Sequence, residues 1–194
     1  MRTIVRIVVV TALLAVCAPS SATVTRYINR TVWQSAIGDD TQITFQGFPE
    51  HTLITDQYAH LGVLFTDGHD FIRYNDSFLN DGVGLGSTDL IYGTIHMSFA
   101  EPLYAIASDF LGIIDIQLFS DGRMIYGSDP FDDSQSRFGG LISTVPFDAV
   151  VIRDPSNGVV VIDDLYFGPP IPAPGALAAF AVVALLQRRR RRND

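Results

Sequence analysis

The sequence predicts an all-β protein: a single antiparallel β-sandwich, jelly-roll-like, flanked by an N-terminal signal peptide and a C-terminal transmembrane helix. Short runs between residues 23 and 168 alternate apolar with polar side chains, the period of a half-buried strand. Gly, Asn, Asp and Pro separate these runs as turn residues do. Long amphipathic helical patterns do not come between them, which excludes a parallel α/β fold. The 194 residues suit one domain with targeting segments.

Residues 1–22 are predicted to form a secretory signal peptide. Arg2 and Arg6 supply a positive start, and residues 7–16 form an apolar stretch. Small residues then lead to Ala22, after which we expect signal peptidase to cleave. Cys17 is the single cysteine and lies in this segment, so no disulfide is expected within the domain.

Residues 23–168 are predicted to hold one short helix and a series of strands. The helix is predicted over residues 32–37, capped by Thr31 and ended by Gly38, with Trp33 and Ile37 on its inner face. The strands are predicted, in chain order, at 42–46, 63–65, 71–74, 94–99, 105–110, 113–119, 123–126, 138–143, 149–153 and 159–167.

Three short sequences are predicted to end or turn these strands. Glu101-Pro102 is expected to stop the strand that begins at residue 94, because proline lacks the N–H that a ladder needs. Asp121-Gly122 and Asn157-Gly158 have the composition of tight hairpin turns. The pattern therefore predicts that the strands on either side of each turn pair with one another.

The charge of the domain excludes one class of partner. Lysine is absent, and the six arginines and 20 acidic residues between positions 23 and 170 give a net charge of −14. Nucleic acid binding needs Lys and Arg to replace the counterions of phosphate, so no nucleic acid partner is expected. The charge favours a solvated acidic surface and is compatible with divalent cations.

The last 26 residues are predicted to divide into a spacer and an anchor. Residues 169–175 are proline-rich and include Pro172, Ala173, Pro174 and Gly175, while residues 176–194 hold an apolar run and a basic cluster. A helix over residues 171–187 would be about 26 Å long at ~1.5 Å per residue, close to the ~30 Å of a bilayer core. The positive-inside rule would keep the cluster cytoplasmic and the domain outside the inner membrane. That cluster is Arg188, Arg189, Arg190, Arg191 and Arg192.

This tail resembles the PEP-CTERM sorting signal, in which a Pro-x-Pro motif, an apolar helix and an arginine cluster follow one another. The resemblance implies recognition by an exosortase-like enzyme, and a protein sorted to the cell envelope, cell surface or extracellular matrix. Here Pro172-Ala173-Pro174 stands in place of Pro-Glu-Pro, which leaves cleavage of the tail open. The alternative interpretation is an ordinary C-terminal membrane anchor.

The domain resembles the β-sandwich passenger domains found ahead of such tails and, more distantly, carbohydrate-binding-module jelly rolls. The resemblance is carried by residues 43–48, 54–58, 62–65, 138–142 and 161–167. It implies a structural Ca²⁺ held by Asp163 and Asp164, with Gln46 at a position where an acid commonly helps. Calcium prefers several hard oxygens, and Gln46 brings an oxygen without charge. The alternative is an acidic strand end that faces water.

We expect a non-catalytic structural or adhesive role at the envelope. The alternative is a carbohydrate-binding module, with or without Ca²⁺, whose partner would be an extracellular polysaccharide. A secreted hydrolase is the least favoured class, because no Gly-x-Ser-x-Gly elbow is present and the histidines lack zinc-ligand spacing. Core positions would explain the aromatic residues, which could otherwise stack on sugar rings. These candidates are Trp33, Tyr74, Tyr92, Tyr104 and Tyr126.

Overall fold

The computed structural model describes residues 22–66, 69–74, 82–87, 93–127 and 129–168, and these are mostly antiparallel strand, which confirms the all-β class. A 3₁₀ turn at Ala59–Leu61 accompanies the main elements. Within these ranges no helix is long and apolar enough to cross a membrane, and residues 176–194 lie outside them. In chain order the elements are β1 Val24–Tyr27, α1 Arg30–Ile37, β2 Thr41–Ile43, β3 Val63–Phe65, β4 Asp70–Tyr74, β5 Val83–Ser87, β6 Thr94–Leu111, β7 Ile113–Ser120, β8 Arg123–Gly127, β9 Phe131–Asp132, β10 Phe138–Arg153 and β11 Val161–Gly168.

Two long strands, β6 and β10, organise the fold. Residues 94–98 of β6 pair with residues 149–153 of β10, and residues 105–109 of β6 pair with residues 138–142 of β10. The register shifts on both sides of Phe147, between these two ladders. Each long strand therefore contributes to two separate stretches of sheet.

The two stretches form the layers of a β-sandwich. The front sheet runs β3, β6, β10, β7 and β8, through the first half of β6. The back sheet uses the second half of β6, with β10 and β1 on one side and β11, β2, β5 and β4 on the other. Buried side chains of both sheets form one apolar cluster between them, where Phe99 lies 5.6 Å from Phe167, ring centre to ring centre.

The prediction that Glu101-Pro102 ends a strand is wrong. β6 continues through both residues, and residues 138–143 and 149–153, predicted as two strands, are likewise one strand, β10. Pro102 is exposed and lies where the β6–β10 ladder is interrupted, so its missing N–H costs no inter-strand hydrogen bond there.

One predicted hairpin is confirmed and the other is wrong. Asp121 and Gly122 adopt φ values of 51° and 72° and join the paired strands β7 and β8. Asn157 also has a positive φ, 63°, but the strands on its two sides do not pair with each other. β6 lies between β10 and β11 in the back sheet, so the turn connects two strands that flank a third.

Helix α1 packs on the outer face of the back sheet. Trp33 is fully buried there, with its ring centre 6.0 Å from that of Phe138 and 6.2 Å from that of Tyr166. Its indole N–H donates to the carbonyl of Leu141 at 3.3 Å. Gly140 allows this approach, because a Cβ at that position would stand 2.6 Å from Cδ1 of Trp33.

The ends of α1 confirm one predicted cap and correct the other. Gly38 ends the helix as predicted, with a φ of 85°. The helix begins at Arg30, two residues earlier than predicted, and the N-cap is Asn29. Its side-chain oxygen accepts the N–H of Val32 at 3.1 Å, so the prediction of Thr31 as the cap is wrong.

Candidate functional site

Asp163 and Asp164, the predicted calcium ligands, lie in a β-bulge of the back sheet. Asp163 is opposite Asp109 of β6, and Leu165 is opposite Ser108, so Asp164 is the extra residue of the bulge. The bulge brings three carboxylates together, and all three residues are buried, with exposed fractions of 2% for Asp163, 8% for Asp164 and 4% for Asp109. The alternative of a strand end that faces water is therefore wrong.

The Tyr166 hydroxyl joins two of these carboxylates. Its oxygen lies 3.0 Å from Oδ2 of Asp164 and 3.4 Å from Oδ2 of Asp109. A hydroxyl has one proton to donate, so the two carboxylates share a single donor. Asp163 instead accepts the N–H of Asp164 at 2.8 Å. The other oxygen of Asp164, Oδ1, is buried without a hydrogen-bond partner among the described residues.

Arg30, the first residue of α1, brings positive charge to this acidic cluster. Its guanidinium hydrogen-bonds Oδ2 of Asp109 and lies 5.1 Å from the centre of the Tyr166 ring. The side chain of Arg30 is 38% exposed, whereas that of Asp109 is 6% exposed. The arginine therefore stands between the buried carboxylate and solvent, and the ion pair ties α1 to the sheet.

Burial controls the protonation of the cluster. It raises the pKa of Asp109 to about 6; the charge of Arg30 opposes this shift, and the charges of Asp164 and Asp163 add to it. Burial also raises the pKa of the Tyr166 hydroxyl, with Asp109 and Asp164 adding to that shift. Asp109 therefore takes up a proton at a higher pH than an ordinary aspartate does.

The predicted calcium site remains a prediction. β2 ends at Ile43, and the positive φ of Phe45, 58°, turns the chain away from the strand before Gln46, which is exposed. Within the described ranges no group of three or more His, Cys, Asp or Glu side chains is placed to hold a metal ion. Asp109 was not predicted, although a lone carboxylate in the apolar run 105–110 was a signal for it.

The outer face of the front sheet is a second candidate site. Strand register places one side chain from each of its five strands in a row: Leu64, Ser98, Ala149, Phe119 and Met124. Leu64 and Met124, at the two ends, are 42% and 54% exposed, and the three between them are half-buried. We call this line, apolar except for Ser98, the apolar row.

Polar side chains follow the apolar row on the same face. The next row contains His96, Val151 and Gln117, and the one beyond it contains Thr94, Arg153 and Asp115. Nε of Arg153 donates to Oδ2 of Asp115 at 2.9 Å, and the Gln117 amide donates to the same oxygen at 3.1 Å. This face therefore combines an apolar strip with fixed hydrogen-bonding groups.

The aromatic residues predicted to stack on sugars are not on this face as far as the structure describes them. Trp33 is in the core beneath α1, Tyr126 is half-buried against the main core, and Tyr104 is half-buried in β6. The side chains of Tyr74 and Tyr92 lie outside the described residues. Phe119, which was not predicted, has the outward phase of the alternating run 113–119 and could have been found from it.

The sorting residues lie outside the described part of the chain. These are Pro172, Ala173, Pro174 and Gly175, with Arg188, Arg189, Arg190, Arg191 and Arg192. Ala22 is the first described residue, and cleavage after it stays a prediction.

No family model and no curated protein matches the chain. Two solved structures, both variants of the family 29 carbohydrate-binding module CBM29-2, are similar to it. Their identities are 12% and 13% and their TM-scores 0.40 and 0.42; each comparison covers 70% of this chain and 99% of the module.

Proposed function

We propose that the domain is a non-catalytic binding module for a polysaccharide chain and that the outer face of the front sheet is its binding surface. The apolar row across five strands carries this proposal. At ~4.8 Å between neighbouring strands, the row spans roughly 19 Å. That length suits an extended polymer better than a compact small molecule.

The side chains of this face match the two kinds of surface on a sugar. The ring of Phe119 and the side chains of Leu64 and Met124 offer apolar area to the C–H faces of the rings. Gln117 and Arg153, both held by the buried Asp115 carboxylate, offer hydrogen bonds to hydroxyl groups at positions that the sheet fixes. The net charge of −14 on the domain repels anionic polymers, so we propose a neutral polysaccharide.

The binding proposal is tested with the full chain in a neutral detergent, by measuring affinity for an array of neutral polysaccharides. Phe119→Ala is expected to weaken binding roughly three- to tenfold, the usual value of one aromatic contact. Met124→Ala is paired with Val32→Ala as its control, because these apolar side chains are 54% and 55% exposed on different faces. We expect only the first of this pair to weaken binding.

Two results would contradict the proposal. The first is that the natural chain binds a polysaccharide but Phe119→Ala and Met124→Ala bind it with the same affinity. The second is that the natural chain binds no neutral polysaccharide at all. A chelator arm tests the calcium prediction separately, and we expect the affinity to be the same with and without it. Loss of binding in the chelator would instead show that polysaccharide binding depends on a bound cation.

We also propose that the protein is exported and held at the cell envelope by its tail. Support comes from the order of the spacer, apolar run and arginine cluster in residues 169–194. Mass spectrometry of the native protein from fractionated cells tests it. Loss of residues 1–22 and of the segment after Pro174 is expected for exosortase-type processing, whereas an intact tail in the membrane fraction indicates a simple anchor. Equal delivery to the envelope without residues 169–194 would refute the sorting role.

A further inference from the structure

A cavity lies where the connection between α1 and β2, the bend of β6 and the end of β11 meet. Its volume is about 360 Å³, within the range of ~300–1,000 Å³ that small-molecule sites occupy. It is separate from the front-sheet face and from the Asp109 cluster. We call it the bend pocket; the residues that matter to its chemistry are Asp39, Asp40, Glu101, Pro102, Leu103 and Phe167.

The bend pocket combines negative charge with an apolar floor. Asp39, Asp40 and Glu101 are three acidic residues of the lining, and no Arg, Lys or His is among the described residues that line the pocket. Asp39 and Glu101 are exposed, whereas Leu103 and Phe167 belong to the buried core. A ligand with an apolar stem and a positively charged end complements this lining.

The acidic rim is held in place by the end of α1. The N–H of Gly38 donates to the carbonyl of Gln34 at 3.0 Å, which closes the last turn of the helix. The Gln34 amide then donates to Oδ2 of Asp40 at 3.1 Å. On the other side the Asp39 carbonyl packs on Gly168, at 3.2 Å from the position of an added Cβ. The Asp40 carboxylate and the Asp39 backbone are thus positioned by contacts within the protein.

We infer that the bend pocket binds an arginine side chain presented by a basic partner peptide. The methylene stem of arginine packs on apolar surface while its guanidinium stays at the polar edge. The guanidinium makes charge-assisted hydrogen bonds to carboxylates with a geometry that matches theirs. The charge of the domain attracts such a peptide from a distance, and this inference is independent of the polysaccharide proposal.

The test uses the full chain in a neutral detergent, with Nα-acetyl-arginine amide as the probe and its citrulline counterpart as the uncharged control. Carboxylates are labelled with a carbodiimide and a nucleophile, and labelling of each residue is followed by mass spectrometry. The arginine compound is expected to protect Asp39 and Glu101 and to leave the exposed Glu50 and Asp121 unprotected. The citrulline compound is expected to protect none of them, because it has the same shape without the charge.

Variants complete the test. The double variant Asp39→Asn with Glu101→Gln is expected to weaken binding of the probe roughly three- to tenfold, because it loses two exposed ion pairs. In this variant, binding is measured by the protection of Asp40 from labelling. The matched double variant Glu50→Gln with Asp121→Asn removes the same charge elsewhere and is expected to leave affinity unchanged. Equal weakening in both, or equal protection by citrulline, overturns the inference.

One further outcome identifies a different occupant. The variant that carries Arg188→Gln, Arg189→Gln, Arg190→Gln, Arg191→Gln and Arg192→Gln lacks the arginine run, and we expect it to bind the probe as the natural chain does. Much tighter binding by this variant would mean that the chain's own arginines fill the bend pocket, which overturns the proposal of an external partner.

Discussion

Asp109 is a buried carboxylate whose surroundings raise its pKa. It is buried, Arg30 pairs with it, and it shares the Tyr166 hydroxyl with Asp164. Its pKa of about 6 in the folded chain lies above its ordinary value of 3.8. Because the folded state holds the proton more tightly, protonation of Asp109 favours folding, and this contribution is complete below pH ~4 and is lost as pH rises through 6.

Asp109→Asn should remove that dependence. Between pH 4 and pH 7, the free energy of unfolding of the natural chain is expected to fall relative to that of the variant. This relative loss is at most about 3 kcal/mol. Urea unfolding at a series of pH values measures it. Asp121→Asn, in an exposed turn, is the control and should keep the pH profile of the natural chain. Parallel profiles for Asp109→Asn and the natural chain would show that Asp109 does not titrate in this way.

The sequence placed part of this cluster and could not place the rest. Asp163 and Asp164 could be named from the sequence, but adjacent strand residues normally face opposite sides, and the bulge that brings these two together is not visible in a local pattern. Asp109 joins them through the β6–β11 ladder, and Arg30 joins through the packing of α1. Pairing across more than 50 residues depends on the register of strands, which a local pattern does not contain.

At the scale of elements, the start of α1 could be capped by either of two residues, Asn29 or Thr31. Asn29 caps the helix in the structure, although Thr31 fits the same sequence preference. Both residue types accept hydrogen bonds from free N–H groups, so composition alone leaves the start of the helix uncertain by two residues. The earlier start places Arg30 in the first turn of the helix, from which its guanidinium reaches Asp109.

Asn29→Ala is expected to lower the free energy of unfolding by about 1 kcal/mol, because the N–H of Val32 loses its acceptor. Thr31→Ala is the matched control, and it should change stability by less than about 0.5 kcal/mol as a surface helix substitution. Chemical unfolding followed by circular dichroism measures both. If Thr31→Ala lowers the free energy of unfolding more than Asn29→Ala does, Thr31 is the N-cap, as predicted from the sequence.

The strands show the same limit of local patterns. Alternation located β3 and β7 nearly to the residue, because each has a buried face, and the Asp121-Gly122 turn located β8 as the hairpin partner of β7. It divided β6 and β10 in two, because each strand changes layer near its middle and the alternation breaks there. What looked like four strands was two strands that cross from the front sheet to the back sheet.

At the scale of the molecule, β6 and β10 make the two layers interdependent. The front sheet cannot separate from the back sheet while these strands remain intact, and one apolar cluster fills the space between the layers. We therefore expect a single cooperative unfolding transition.

The single tryptophan provides the measurement. Trp33 reports the packing of α1 on the back sheet, while far-ultraviolet circular dichroism reports all strands. Ile116→Val removes one methylene from the front-sheet side of the core and is expected to cost about 1 kcal/mol. Both signals should move to the same lower denaturant midpoint. A tryptophan transition that stays at its original midpoint would show that the layers unfold separately.

The position of β11 has a mechanical consequence. The chain continues from Gly168, the last residue of β11, and β11 is hydrogen-bonded to β6 on one side and to β2 and β5 on the other. Tension applied through the following segment therefore pulls on an interior strand and not on an edge. Both flanking ladders must yield together before β11 can leave, so a domain tethered through residues 169–194 would carry load at one of its most strongly held strands.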